Sequence, residues 1–401
     1  MKRICFFLLI FCALITSPVF CRADNSASLL SSGRAIVAPG AKTTLPFKLV
    51  GHLIIVQASV DGSAPNCTFV LDTGSITALT SRFAARLGLP MEGQCRARGV
   101  TGAADQVCLT RLKSLSLGGF KAQDVSAVVF DPHFRQRAGI RIDGFIGSNF
   151  LRFFKVEIDY HRKLLTLSDG ATPLAAVPGG VIVPIGLDWQ SAFVPQIATR
   201  CGNTAFTAGV DTGLYDSVSI PGAFLDRANT DAQLVGTGAM GSGNFGNMDK
   251  ARLVRLNNLD IGSLRVGKVV ATTQSGQKYA LIGYGLLSHF AVTIDYPARK
   301  MLLVPAPEAK PLDNLYSTGL AVGRDSAGKT FVSGVWKPSP AANMGLAPGE
   351  RIITVDGRPA DAYTLQCLQK LLFDDAIPDV VLSVREPFGE KNLTIGKKCL
   401  F

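Results

Sequence analysis

Between residues 45 and 304 the chain is written in short apolar runs separated by glycine-, proline- and asparagine-bearing turns. Leu53–Val60 and Thr68–Leu71 read as the two strands of a hairpin around Asp61-Gly62-Ser63-Ala64-Pro65, since turn residues lie between two apolar β-forming stretches. The alternation Phe154-x-Val156-x-Ile158 has the period of a half-buried strand. Ser81–Leu87 is predicted as a short helix. The pattern then starts again, with Ala192–Ala198 and Ala205–Val210 flanking the Cys201-Gly202-Asn203 turn. Leu112, Leu115, Leu117-Gly118 and Phe120 return as Leu256, Leu259, Ile261-Gly262 and Leu264, at an offset of 144. Phe154-x-Val156-x-Ile158-Asp159-Tyr160 returns as Phe290-x-Val292-x-Ile294-Asp295-Tyr296, at an offset of 136. Duplicated halves predict two mainly β lobes related by an approximate twofold axis.

The most informative duplicated element is short. Phe69-Val70-Leu71 leads into Asp72-Thr73-Gly74-Ser75, and Ala208-Gly209-Val210 leads into Asp211-Thr212-Gly213-Leu214. Each copy is followed by an apolar-apolar-Gly step, Phe145-Ile146-Gly147 and Leu281-Ile282-Gly283. A single Asp-Thr-Gly is an ordinary strand-ending turn. Two copies in matched surroundings bring paired carboxyls into play. Like charges at short range cannot both ionise, so two adjacent carboxyls retain one shared proton and supply base and acid together. That proton belongs to the pair, and the sequence does not divide the two roles between Asp72 and Asp211.

These motifs resemble the aspartic proteases, specifically the retroviral-type fold with both halves in one polypeptide. The resemblance implies Asp72 and Asp211 as catalytic, with Thr73, Gly74, Ser75, Thr212 and Gly213 setting the geometry of the two turns. It implies flexible hairpin flaps over the cleft at Cys95–Cys108, centred on Gly99-Val100-Thr101-Gly102, and at Gly236–Asn247. Neither stretch carries the tyrosine found on pepsin-like flaps. Leu214 departs from the family, where Ser or Ala is common; Ser75 can donate to its carboxylate and Leu214 cannot.

Composition bounds the rest. With 401 residues, 47% hydrophobic and 18% charged, the chain predicts two or three globular domains. Residues 1–23 read as a secretory signal, with Lys2 and Arg3 before an apolar core from Ile4 to Ile15 and a break at Pro18. Cleavage is expected after Ala23, and Phe20 argues against lipid modification of Cys21. That core is too short for a stable membrane span, so export to the bacterial periplasm or medium is expected, without stable membrane insertion. Residues 24–44, rich in Ser, Ala and Gly, are expected as a loose leader. Positive charge is dispersed and lacks an aromatic platform, which disfavours nucleic acid as a partner. The four histidines are scattered and no zinc spacing occurs, so no metal or other cofactor is expected. The six cysteines beyond the signal allow fifteen pairings. Cys95–Cys108 and Cys367–Cys399 are the favoured local pairs.

Val304–Leu312, with three prolines, predicts a stiff linker. Beyond it, strands are expected at Gly319–Arg324, Thr330–Val335, Val380–Val384 and Asn392–Ile395, and a helix at Thr364–Leu372. Ser339–Leu346 leading into Gly349–Gly357 resembles a PDZ domain of the bacterial protease-associated kind. The resemblance implies an added-strand peptide site, with Thr318, Gly319 and Leu320 cradling a terminal carboxylate. The resulting expectation is acid protease lobes at 45–170 and 180–304 and an α+β PDZ domain at 313–401, acting on polypeptide substrates. A non-catalytic peptide-binding protein on a degenerate protease fold is the alternative.

Overall fold

The computed structural model describes residues 20–22, 32–63, 67–98, 104–130, 141–188, 193–225, 231–238, 251–274, 276–307, 312, 316–325, 327–373, 376–386 and 389–400. The expected signal lies almost wholly outside them, as do the tips expected for both flaps, at 99–103 and 239–250.

The protein is mainly β. Its first half contributes β1 (Lys48–Val50), β2 (Leu53–Val60), β3 (Cys67–Asp72), β4 (Ala78–Leu79), β5 (Gly93–Arg98), β6 (Ala104–Leu117), β7 (Phe120–Val129) and β8 (Gly144–Gly147). They hydrogen-bond in the order β5-β6-β7-β4-β8-β3-β2-β1, and β6 also pairs with β2. The second half contributes β9 (Gly186–Asp188), β10 (Val194–Cys201), β11 (Thr204–Val210), β12 (Val218–Pro221), β13 (Ala232–Gly238), β14 (Ala251–Ile261), β15 (Leu264–Gln274) and β16 (Ala280–Ile282). Their order is β13-β14-β15-β12-β16-β11-β10-β9, and β14 also pairs with β10. Adding eight to each label of the first sheet gives the second, including the extra pairing.

A six-stranded sheet joins the halves. At its centre Lys155–Asp159 pairs antiparallel with Phe290–Asp295, Val156 opposite Ile294 and Ile158 opposite Val292. Val156 and Val292 are equivalent in the duplication, as are Ile158 and Ile294. Each strand therefore pairs with its own equivalent in the reciprocal register that a twofold axis requires. The buried side chains of both halves form one continuous apolar core.

Two expectations are corrected here. The leader is not loose throughout: Arg34–Ile36 pairs with β7, and Lys42–Pro46 adds an edge strand against Leu164–Ser168. The favoured disulfides are not formed, since Cys108 and Cys367 are free thiols. Register supplies the reason for the first pair. Across the β5–β6 ladder Cys95 is paired with Val107 and Cys108 with Gln94, so the two cysteines are not register partners.

The C-terminal unit has its own core, built around Leu320, Val332, Ile352, Leu368 and Leu382. Its five principal strands are ordered Leu320–Arg324, Thr330–Val335, Arg351–Val355, Asp379–Glu386, Gly389–Gly396. Ser339 caps a short helix, Pro340–Asn343, by accepting from Ala342 N–H. A longer helix, Leu365–Phe373, packs beside the edge strand Leu320–Arg324.

Candidate active site

β3 runs through the apolar core and ends at Asp72, where the chain turns; β11 does the same just before Asp211. The turns meet across the twofold axis. Thr73 Oγ1 donates to Val210 O (2.7 Å) and accepts from Thr212 N–H (3.0 Å). Reciprocally, Thr212 Oγ1 donates to Leu71 O (3.0 Å) and accepts from Thr73 N–H (3.0 Å). Each threonine thus ties its own turn to the strand feeding the other. Four buried hydrogen bonds fix the separation of the two turns, and an unsatisfied backbone group would be costly at this depth.

The same arrangement orients the carboxyls. Asp72 Oδ1 accepts from Gly74 N–H and Asp211 Oδ1 from Gly213 N–H, each at 2.9 Å. Gly74 lies so close to the second carboxyl that a Cβ there would stand 2.2 Å from Asp211 Cγ. Asp72 is 1% exposed and Asp211 fully buried. Burial raises the Asp211 carboxyl well above the usual range, and the charge of Asp72 raises it further. The two groups therefore hold a proton between them at pH values where isolated carboxyls are ionised. The apolar-Gly steps lie directly behind. Gly147 pairs with Asp72, and a Cβ on it would meet Ile76 C at 2.3 Å; one on Gly283 would meet Asp216 O at 2.4 Å. Glycine is required at both positions for close backbone approach.

Side chains to which the sequence reading assigned no role at the site buttress the turns. Ser148 Oγ donates to Thr73 O (2.7 Å) and also bonds Tyr296 Oη (2.8 Å). Its one proton is committed to Thr73 O, so the Tyr296 hydroxyl is the donor of the second bond. Tyr296 belongs to the second half and supports the first Asp turn. Its duplicate Tyr160 crosses the other way, packing edge-on to Tyr284 with ring centroids 5.6 Å apart. His52 Nε2 bonds Gly213 O at 2.9 Å, bracing the second turn from the first half. Asp216 is a third buried carboxyl, accepting from Thr272 Oγ1 at 2.5 Å, and burial pushes it up to about 6. The Ser75 hydroxyl is not used as expected, because it donates to Ile76 O (3.2 Å) rather than to its carboxylate.

Thr318, Gly319 and Leu320 lie far from this site in sequence, at the start of the edge strand Leu320–Arg324 and the two residues before it. Their amides are engaged from within: Gly319 N–H donates to Ser317 Oγ (2.9 Å) and Leu320 N–H to Thr318 Oγ1 (3.2 Å). Gly319 is also backed by Ser339, whose Cβ lies 2.1 Å from where a glycine Cβ would be. The expected cradle is thus closed by its own hydroxyls. Among the described residues no group of acidic, histidine or cysteine side chains is placed to hold a metal ion.

With this geometry in hand, comparison with known proteins adds the following. The family model for aspartyl proteases matches residues 56–150, which contain the first Asp-Thr-Gly and the first apolar-Gly step. No curated protein matches the chain in sequence. Among solved structures, basic 7S globulin from soybean aligns with 10% identity over 67% of this chain and 96% of that chain, at a TM-score of 0.38.

Proposed function

We propose that the chain is an exported aspartic endopeptidase in which each of two lobes, at 45–170 and 180–304, contributes one catalytic aspartate. The reciprocal hydrogen bonding of the two Asp-Thr-Gly turns carries this reading, since it sets two buried carboxyls against one another. The aspartyl protease match over residues 56–150 supports it.

In this reading the ionised member of the Asp72–Asp211 pair takes a proton from water as its oxygen bonds to the scissile carbonyl carbon. The protonated member gives its proton to the carbonyl oxygen, yielding a neutral tetrahedral diol. Collapse of the diol breaks the C–N bond: one diol hydroxyl gives its proton back to the carboxylate that had protonated the carbonyl oxygen, and the proton taken from water passes from the other carboxyl to the departing nitrogen. One water is consumed, and the pair returns to its single shared proton. Thr73, Gly74, Thr212 and Gly213 keep the carboxyls in register; Ser75 holds the backbone of its turn.

Residues 313–401 are proposed as a PDZ-type module that adds a polypeptide strand to the edge Leu320–Arg324. A terminal carboxylate would take over the Gly319 and Leu320 amides from the Ser317 and Thr318 hydroxyls. A second reading, a peptide-binding protein that does not cut, is favoured by one observation. Leu214, fully buried, puts an apolar side chain beside Asp211 where Ser75 stands beside Asp72. Incubation with an unstructured protein such as reduced casein at several pH values, followed by mass mapping of products, separates the two. New termini are expected; retention of intact casein without new termini would favour the second reading.

A further inference from the structure

The C-terminal unit has an apolar core of its own, yet Trp336 is not part of it. This tryptophan, 5% exposed, belongs instead to a separate buried cluster with Leu214, Ala251, Leu253, Leu281 and Leu400. Leu214 directly follows the second Asp-Thr-Gly. Ala251 and Leu253 begin β14, the inner arm of the second flap, so the cluster spans flap base and aspartate turn. The outer arm is held as well. Thr237 N–H donates to Lys337 O (2.9 Å) and Lys337 N–H to Thr237 O (2.8 Å), a two-bond bridge from β13 to the C-terminal unit. The indole packs so closely on Gly238 that a Cβ there would come within 2.8 Å of Trp336 Cε3. The Trp336 backbone N–H donates to Gly319 O at 2.8 Å, just before the edge strand Leu320–Arg324. One residue therefore touches the segment leading into the edge strand Leu320–Arg324, the arm β13 and the cluster that includes Leu214.

We infer that Trp336 is a positioning residue for the second half of the active site, so that the C-terminal unit is a working part of the catalytic apparatus in cis. Its effect on turnover rests on the proteolytic reading above; its hold on the flap arm and the Asp211 turn does not. The physical reason is rigidity. β13 is the outermost strand of its sheet, paired along its length on one side only, and a buried indole with two bridge bonds gives it neighbours on the other.

The test uses the full-length chain with Trp336→Ala, Trp336→Phe and Gly238→Ala, the last reaching the same contact from the flap side. Hydrogen exchange is measured in segments 211–214 and 232–238, and kcat and KM are measured on a short C-terminally amidated peptide chosen from casein sites cut by the wild type. Amidation keeps the carboxylate cradle out of the assay. Trp336→Ala and Gly238→Ala are expected to accelerate exchange in both segments and to lower kcat about tenfold with KM within about twofold, and Trp336→Phe to restore most of both. Unchanged exchange in both segments in folded Trp336→Ala and Gly238→Ala would overturn the inference, as would wild-type kcat in both. If the wild type cuts nothing, the proteolytic reading fails and the exchange result alone decides this inference.

Discussion

The two Asp turns share a backbone and differ in the side chains set around it. Strand order, the reciprocal threonine bonds and the glycine contacts repeat from one half to the other. Around that frame Ser75 is matched by Leu214, Ile76 by the half-exposed Tyr215, Thr77 by the buried acid Asp216, and Ser148 by Tyr284. Thr77 N–H donates to Asn149 Oδ1 and Thr77 Oγ1 accepts from Gly147 N–H, closing a neutral polar network, whereas Asp216 brings a carboxyl into a similarly buried place. The first turn is braced by hydroxyl hydrogen bonds and the second by aromatic packing, His52 and the C-terminal unit. The difference shows that the backbone frame of the two turns is kept while the side chains that support it diverge.

The largest effect tests the shared frame. Gly147→Ala and Gly283→Ala each force a methyl into backbone atoms less than 3 Å away. Both are expected to lose about 3 kcal/mol of stability in denaturant unfolding, and to lose it equally. A loss at one position only would break the equivalence of the halves.

The next sharpens the contrast between Thr77 and Asp216. Asp216 is held at about 6 against a usual 3.8 by burial, so the folded state favours its protonated form. Its contribution is therefore fully present below about pH 3.8 and is lost as pH rises through 6. Asp211, also raised, acts in the same direction, so the informative quantity is the difference from wild type. Between pH 4 and pH 7, Asp216→Asn should lose less stability than wild type, by up to about 3 kcal/mol. Parallel stability–pH curves for the two proteins would contradict this.

A smaller effect separates the crossing tyrosines. Tyr296→Phe deletes a buried bond to Ser148 and should cost about 1 kcal/mol. Tyr160 Oη makes no hydrogen bond among the described residues, so Tyr160→Phe should be neutral or slightly stabilising. Thermal unfolding of both variants ranks them, and equal losses would mean that the cross-supports do not differ as described.

Local pattern made much of this legible. Leu53–Val60 and Thr330–Val335 were readable to the residue because apolar stretches there are bounded by turns. The strands Arg34–Ile36 and Lys42–Pro46 were not, because they are edges whose order comes from the partner strand rather than from their own composition. The spacing of Cys95 and Cys108 gave proximity but not the register of the two strands. The dyad stood out through its repetition, while Ser148 and Tyr296, 148 residues apart, meet only because the twofold axis folds one half over the other. No local signal marks such a pair. Trp336 was hidden for the same reason, since its partners lie in another folding unit.

The central claim is that Asp72 and Asp211 work as one pair. Turnover of reduced casein by folded Asp72→Asn, Asp211→Asn and the double variant, beside wild type, tests it most directly. Each single change should abolish cleavage, and the double variant should be no worse than either, as for residues acting as a unit. Undiminished cleavage by Asp211→Asn would contradict the account, leaving the second turn as a structural repeat and the active site with a single aspartate.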